Sequence, residues 1–245
     1  MKAQGFDFRV GGAASTALLY PSEKARATIV LAHGAGGRQT HPWMIRMAHA
    51  LLARGFDVVT FDFLYTHAGR RAPDRNDVLE ATWRAVTEAV RAKKDTKSPL
   101  LVGGKSMGGR IATHVAAQNG FGAIAGLVLL GYPLHPPGKP AQLRSAHLPK
   151  VQEPMLFVQG SRDGFGTPDE LRPIVESLPG ARLFVVEGGD HSLVPPKGRE
   201  TLDDVILRVA EEIDQFTSYA SALRQSERGN EPPANTHSPS PERAR

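Results

Sequence analysis

Apolar positions along the chain fall into two alternating kinds of stretch. Short continuous runs of strand length occur at Thr28–Ala32, Asp57–Phe63, Leu100–Gly103, Leu127–Leu130, Pro154–Gln159 and Arg182–Glu187. Between them, apolar residues recur every three or four positions, as on one side of a helix. His41–Arg54 is such a stretch, with Trp43, Met47, Ala50 and Leu51 in phase and Gly55 as its stop. Asn76–Lys93, Met107–Asn119 (closed by Gly120), Pro168–Leu178 and Glu200–Leu223 are the others. Phe6–Val10 and Ala14–Tyr20 read as two opening strands, and Gly11 and Gly12 between them predict a hairpin. A strand that is apolar throughout is buried on both faces. The pattern therefore predicts an α/β fold: a mostly parallel sheet of about seven or eight strands with helices on both faces.

The 245 residues suit one such domain, expected over residues 1–223. From Arg224 to Arg245 the chain turns to Pro, Ser, Asn and charge, which cannot bury enough apolar surface to order itself; a disordered tail is expected there. The connection Tyr132–Glu153 is rich in Pro and holds no long apolar helix, so no large lid is expected, although a short cover over the site stays open. No internal repeat is present.

Composition narrows the chemistry. The chain has no cysteine, which excludes a disulfide scaffold, a thiolate metal site and a cysteine nucleophile. The net charge is +5, but Lys and Arg are scattered, which reads as a solvated basic surface rather than a nucleic-acid footprint. The longest apolar run, Ala123–Leu130, is too short to span a membrane, and Met1–Val10 has no signal-peptide core. A soluble, cytoplasmic protein without metal, cofactor, membrane or nucleic-acid partner is the expectation. Its oligomeric state is not legible.

Candidate chemistry centres on Gly104-Lys105-Ser106-Met107-Gly108, a G-x-S-x-G pattern. The pattern alone has little weight; its context has more. An apolar strand, Leu100-Leu101-Val102, runs into it and a helix follows at once. A serine on that turn is held in a strained conformation above the sheet edge, at a helix N-terminus, while the small residues two before and two after let another segment pass close. A phosphate loop is the rival, because Gly104-Lys105-Ser106 is a Gly-Lys-Ser triplet. It fails on spacing: the glycine required five residues before the Gly-Lys pair is Pro99.

Serine needs a base, and the base needs an orienting acid. On this kind of sheet the partners follow in the order acid, then histidine. Of the later histidines, His114 lies mid-helix, His135 and His147 in the Pro-rich connection and His237 in the tail; only His191 follows a strand through a loop, Gly188-Gly189-Asp190-His191. Among the carboxylates between Ser106 and His191, Asp163 stands just past a strand in Gly160-Ser161-Arg162-Asp163-Gly164. Asp190 is adjacent to His191, and adjacent side chains diverge. Acyl transfer also needs fixed N–H groups for the developing oxyanion. Met107 supplies one, and the loop His33-Gly34-Ala35-Gly36-Gly37 the other, with Ala35 the first choice and Gly34 the second. His33 itself, at a strand end, suits a structural hydrogen bond.

Together, His33–Gly36, Gly103–Arg110 and Gly188–His191 resemble the α/β-hydrolase superfamily. With Leu130–Pro140 they are similar to its branch of small predicted hydrolases that includes the testis-expressed and histone-acetyltransferase-complex subunit proteins. The resemblance spans about residues 5–220. It implies catalytic roles for Ser106, Asp163, His191 and the Met107 amide, and no particular substrate. The expectation is a serine hydrolase that cleaves a small carboxylic ester through an acyl-enzyme. A non-catalytic interaction protein on the same fold, an acyltransferase and a peptidase stand as alternatives. Thr40–Trp43, Leu64–Tyr65, Tyr132–Leu134 and Leu193–Pro195 are expected to border an open, partly aromatic mouth, with Trp43, Tyr65, Tyr132 and Leu193 as substrate-binding residues.

Overall fold

A computed structural model describes residues 2–93 and 98–229. Eight strands form one sheet in the order β1-β2-β4-β3-β5-β6-β7-β8. These are β1 (Gln4–Val10), β2 (Ala13–Tyr20), β3 (Ala27–Ala32), β4 (Phe56–Phe61), β5 (Leu100–Lys105), β6 (Gly126–Leu130), β7 (Met155–Gly160) and β8 (Arg182–Val186). The opening hairpin β1–β2 is antiparallel and joins β4 antiparallel; every pairing from β4 to β8 is parallel. The inner strands β3, β4, β6 and β7 are buried at every position, as runs without polar alternation require.

Two apolar layers cover the faces. On one, α3 (Asn76–Lys93), α4 (Met107–Ala116) and α5 (Pro168–Glu176) pack Trp83, Val86, Ile111, Val115 and Leu171 onto the sheet. On the other, α1 (Pro42–Ala53) and α6 (Leu202–Gly229) bury Trp43, Met47, Val209, Ile213 and Phe216. The fold class expected from the sequence is the one found.

Several boundaries differ. The fourth strand stops at Phe61, because Phe63 caps a single helical turn, α2 (Leu64–His67), too short to show as periodicity. Strand β5 runs on to Lys105, since Gly103 and Gly104 still pair with Val128 and Leu129. Helix α4 ends at Ala116, and the left-handed residue after it is Asn119 (φ 53°), one before the expected Gly120. The domain boundary at 223 needs correction: α6 continues to Gly229, and Arg224 Nη1 donates to the Ile124 carbonyl. The rest of the expected tail, 230–245, lies outside the described residues. The connection from β6 to β7 contains a single 3-10 turn, Leu148–Lys150, and no lid helix. Among the described residues no helix is long and apolar enough to cross a membrane.

Candidate active site

Five loops at the C-terminal ends of β3, β5, β6, β7 and β8 converge on one edge of the sheet. Between β5 and α4, Ser106 sits at φ 50° and ψ −118°, a conformation that a residue with a Cβ adopts only under strain. The glycines around it explain how the turn fits. A Cβ on Gly104 would stand 2.3 Å from the Ala32 carbonyl oxygen, and one on Gly108 2.6 Å from that of His33. The β3 end and its loop therefore lie directly against the turn, and neither position has room for a side chain.

Ser106 Oγ is 2.8 Å from Nε2 of His191. Nδ1 of the same ring is 2.8 Å and 2.9 Å from the two oxygens of Asp163, whose side chain is fully buried. Asp163 is fixed in turn: Oδ1 accepts the Phe165 N–H at 2.8 Å and Oδ2 the Gln159 side-chain N–H at 2.8 Å. Gln159, itself buried, accepts the Tyr132 N–H on its Oε1. The Phe165 ring stacks on the His191 imidazole at 4.0 Å between centroids. The three residues picked from the sequence as nucleophile, acid and base thus form one hydrogen-bonded line. Asp190 is turned away from the imidazole, and its Oδ1 accepts the N–H groups of Ser192 (2.7 Å) and Val194 (3.0 Å).

The amide of Met107, first residue of α4, has no intrahelical acceptor. The Ala35 amide, in the loop after β3, has no acceptor among the described residues either. Both residues line a cleft of about 380 Å³ above Ser106, as does Gly34. Gly34 Cα lies where a Cβ would come within 3.4 Å of the Ser106 Cβ. His33 is buried; its Nδ1 meets the Gly34 carbonyl at 2.8 Å and its Nε2 accepts the Phe63 N–H at 3.4 Å, the structural role expected. Burial pushes its pKa down, which keeps the ring neutral. Burial also lowers Lys105, against the pull of Asp190 and Asp163, and its Nζ donates to Ser192 Oγ at 3.2 Å.

None of the four residues expected to bind substrate, Trp43, Tyr65, Tyr132 and Leu193, lines the cleft. Trp43 lies in the apolar layer, where its indole N–H holds the Ser192 carbonyl at 3.0 Å beneath the histidine loop. Tyr65 is fully buried against Phe63 and His33. Tyr132 is buried edge-on to Phe157, and its hydroxyl donates to the Arg144 carbonyl at 2.8 Å. Leu193, at φ 61°, is tucked into the core. Large apolar rings near the site were needed for packing. The walls come from Pro133, within the expected stretch Tyr132–Leu134, and from Pro73, Asp74, Arg110, Arg144 and Phe165. Pro133 and Arg144 belong to the Pro-rich connection, which therefore borders the cleft. Arg110, one helical turn after Ser106, could have been found by its spacing. Arg144 carries no such signal. Among the described residues no group of three or more His, Cys, Asp or Glu could hold a metal ion.

Solved structures share this architecture. Dienelactone hydrolase from Anabaena variabilis is 20% identical, with a TM-score of 0.69 over 89% of this chain and 97% of that one. Est1E from Butyrivibrio proteoclasticus, with ferulic acid bound, is 15% identical, with a TM-score of 0.71 over 87% and 99%. An alpha-beta serine hydrolase homologue from Coxiella burnetii is 18% identical, with a TM-score of 0.67 over 85% and 97%. At these identities the likeness is one of fold. The sequence profile of the alpha/beta hydrolase domain matches residues 25–218, from the start of β3 through most of α6. The chain belongs to the alpha/beta hydrolase domain family.

Proposed function

We propose that this protein is a serine hydrolase that cleaves small carboxylic esters through an acyl-enzyme intermediate. The observation that carries this reading is the continuous line Ser106 Oγ–His191 Nε2 and His191 Nδ1–Asp163, ending in a buried carboxylate. In such a line the imidazole takes the serine proton as Oγ attacks the ester carbon, and Asp163 holds the Nδ1–H tautomer and steadies the cation that forms. The oxyanion falls to the amide of Met107 at the N-terminus of α4, where the helix dipole also favours negative charge, and to that of Ala35 in the loop after β3. Collapse expels the alcohol, which takes the proton from His191. Water then repeats the sequence on the acyl-enzyme and frees Ser106.

The size of the cleft and the absence of a lid helix favour compact esters over long acyl chains. Ferulic acid bound to Est1E and the name dienelactone hydrolase are in keeping with small substrates. Ser106-Met107-Gly108-Gly109-Arg110 and Leu130–Pro140 support placing the chain in the branch with the testis-expressed and histone-acetyltransferase-complex subunit proteins.

The test pairs fluorophosphonate labelling with p-nitrophenyl esters of rising acyl length. The wild type is expected to label and to turn over the short esters best, and Ser106→Ala to do neither. Labelling or turnover by pure, folded Ser106→Ala would overturn the assignment of the nucleophile. A wild type that neither labels nor turns over any ester would favour a non-catalytic binding role.

A further inference from the structure

Two arginines face the cleft above Ser106 from different parts of the chain. Arg110 comes from α4, its N–H on the Ser106 carbonyl; Arg144 comes from the connection between β6 and β7. Neither guanidinium pairs with a carboxylate among the described residues. Of the other charged side chains in the cleft wall, Asp74 is engaged with Arg70 at 2.7 Å and Lys105 leans on Ser192.

Both arginines are held in place. Arg110 Nη1 lies 3.1 Å from His114 Nε2, and the other ring nitrogen of His114 faces Glu80 at 3.5 Å. That chain puts the histidine proton on Nδ1, leaves Nε2 to accept from Arg110 Nη1, and fixes one arm of a guanidinium whose residue lines the cleft. Arg144 is anchored through its backbone: its N–H donates to Leu134 at 2.7 Å and its carbonyl accepts the hydroxyl of buried Tyr132 at 2.8 Å. Burial lowers the pKa of Arg110, and the like charge of Arg144 pushes the same way against Tyr132 and Glu80. Arginine does not shed its proton in response. Two like charges face one half-closed cleft, and the acid in its wall, Asp74, spends Oδ1 on Arg70 and pairs with neither of them, so the arginines are left short of an anion.

We propose that the cleft selects esters whose acyl or alcohol part carries a second, ionised carboxylate, held by Arg110 and Arg144 while the ester carbonyl meets Ser106. This rests on the serine-hydrolase reading and adds a substrate class to it. Arginine forks match the planar carboxylate in a paired, charge-assisted geometry. The open side of the cleft lets the remainder of the substrate extend into solvent.

The experiment compares mono-p-nitrophenyl adipate with its neutral methyl ester, which has the same reacting bond and nearly the same shape. Wild type is expected to favour the acid in kcat/KM by about tenfold or more, the size of a charge-assisted pair. Arg144→Gln and Arg110→Gln should each bring that ratio towards one, and Arg144→Lys should restore part of it. Free adipate should inhibit wild type competitively and inhibit the Gln variants less. Equal kcat/KM for both esters in wild type, with fluorophosphonate labelling intact, would overturn this inference and leave the hydrolase reading standing. No labelling and no turnover of either ester would overturn both. Selectivity for the phosphate monoester analogue over the carboxylate would reject the carboxylate and assign the arginines to phosphate.

Discussion

Gln159 donates a side-chain N–H to Asp163 Oδ2 at 2.8 Å while its own Oε1 accepts the Tyr132 N–H at 2.8 Å. One fully buried amide thus ties Asp163, the acid of the Ser106–His191–Asp163 line, to the backbone after β6, and a further bond to the Gly166 carbonyl closes the loop that carries Asp163. Gln159 touches no reacting atom and is a positioning residue. Gln159→Met keeps the volume but leaves a buried N–H and a carboxylate oxygen each short of a partner. A stability loss of about 1–3 kcal/mol is expected. Turnover should fall with KM nearly unchanged, since the cleft wall is untouched. Urea unfolding and ester kinetics on the same preparation check both; a drop in stability with unchanged kcat would show that Gln159 serves folding alone.

Asp163 and Asp190 separate cleanly. Asp163 meets the imidazole with both oxygens, whereas Asp190 meets only loop amides. Asp163→Asn frees the ring to take the wrong tautomer, and turnover should fall by at least about a hundredfold, up to about ten-thousandfold. Asp190→Asn keeps an oxygen that can accept from Ser192 and Val194, so its loss should stay under about tenfold. Kinetics of the two variants on one ester decide the roles; an inactive Asp190→Asn would reverse them.

Ser106, Asp163 and His191 were legible in the sequence because each follows an apolar strand, and strand ends share one edge of a parallel sheet. Asp190 also follows a strand and could be set aside only by its adjacency to His191, since adjacent side chains diverge. Gln159 could not be found, because a buried glutamine at the end of an apolar strand looks like a strand residue until its partners are known. The expected rings stand away from the cleft for a related reason. Trp43, Tyr65 and Tyr132 are near the site in sequence terms, yet rings of that size contribute most by filling the core beneath it. Arg144 enters the cleft through an irregular, Pro-rich connection, and no periodicity predicts where such a segment points. The helix beyond Leu223 was hidden by a polar composition that reads as a tail: Arg224 is half-buried on the body, while Gln225 and Ser226 are exposed.

The strain at Ser106 has a measurable consequence. Its φ of 50° with ψ −118° suits glycine and opposes any residue with a Cβ. Ser106→Ala removes the hydroxyl but keeps the strain; Ser106→Gly removes both. Both variants should be inactive, and Ser106→Gly should unfold at higher urea, by about 1 kcal/mol or more relative to Ser106→Ala. Equal midpoints would mean that the turn holds no strain that the Cβ creates.

Stability should also depend on pH through His147. This ring donates to Thr113 Oγ1 at 2.7 Å, lies 4.1 Å from the His114 ring between centroids and faces the cationic side of Arg110. Burial first, then the like charges of His114 and Arg110, hold its pKa down to about 4 from an ordinary 6.5. His114 is lowered too, again chiefly by burial and then by Arg110, with Glu80 pulling the other way. A histidine whose folded pKa is depressed takes up its proton earlier in the unfolded chain, so the unfolded state gains on the native one as pH falls below 6.5. The loss should run down through the folded pKa of about 4 and level off only below it, once the native ring is protonated as well. Water reaches part of the ring, so the change credited to His147 should not exceed roughly 2 kcal/mol. Carboxylates titrate in the same range, and a variant isolates the histidine. His147→Gln can still donate to Thr113 but gains no charge, so its unfolding free energy should vary less than that of wild type between the two limits. Parallel urea titrations at several pH values give the difference directly; identical slopes would mean that His147 titrates alike in both states.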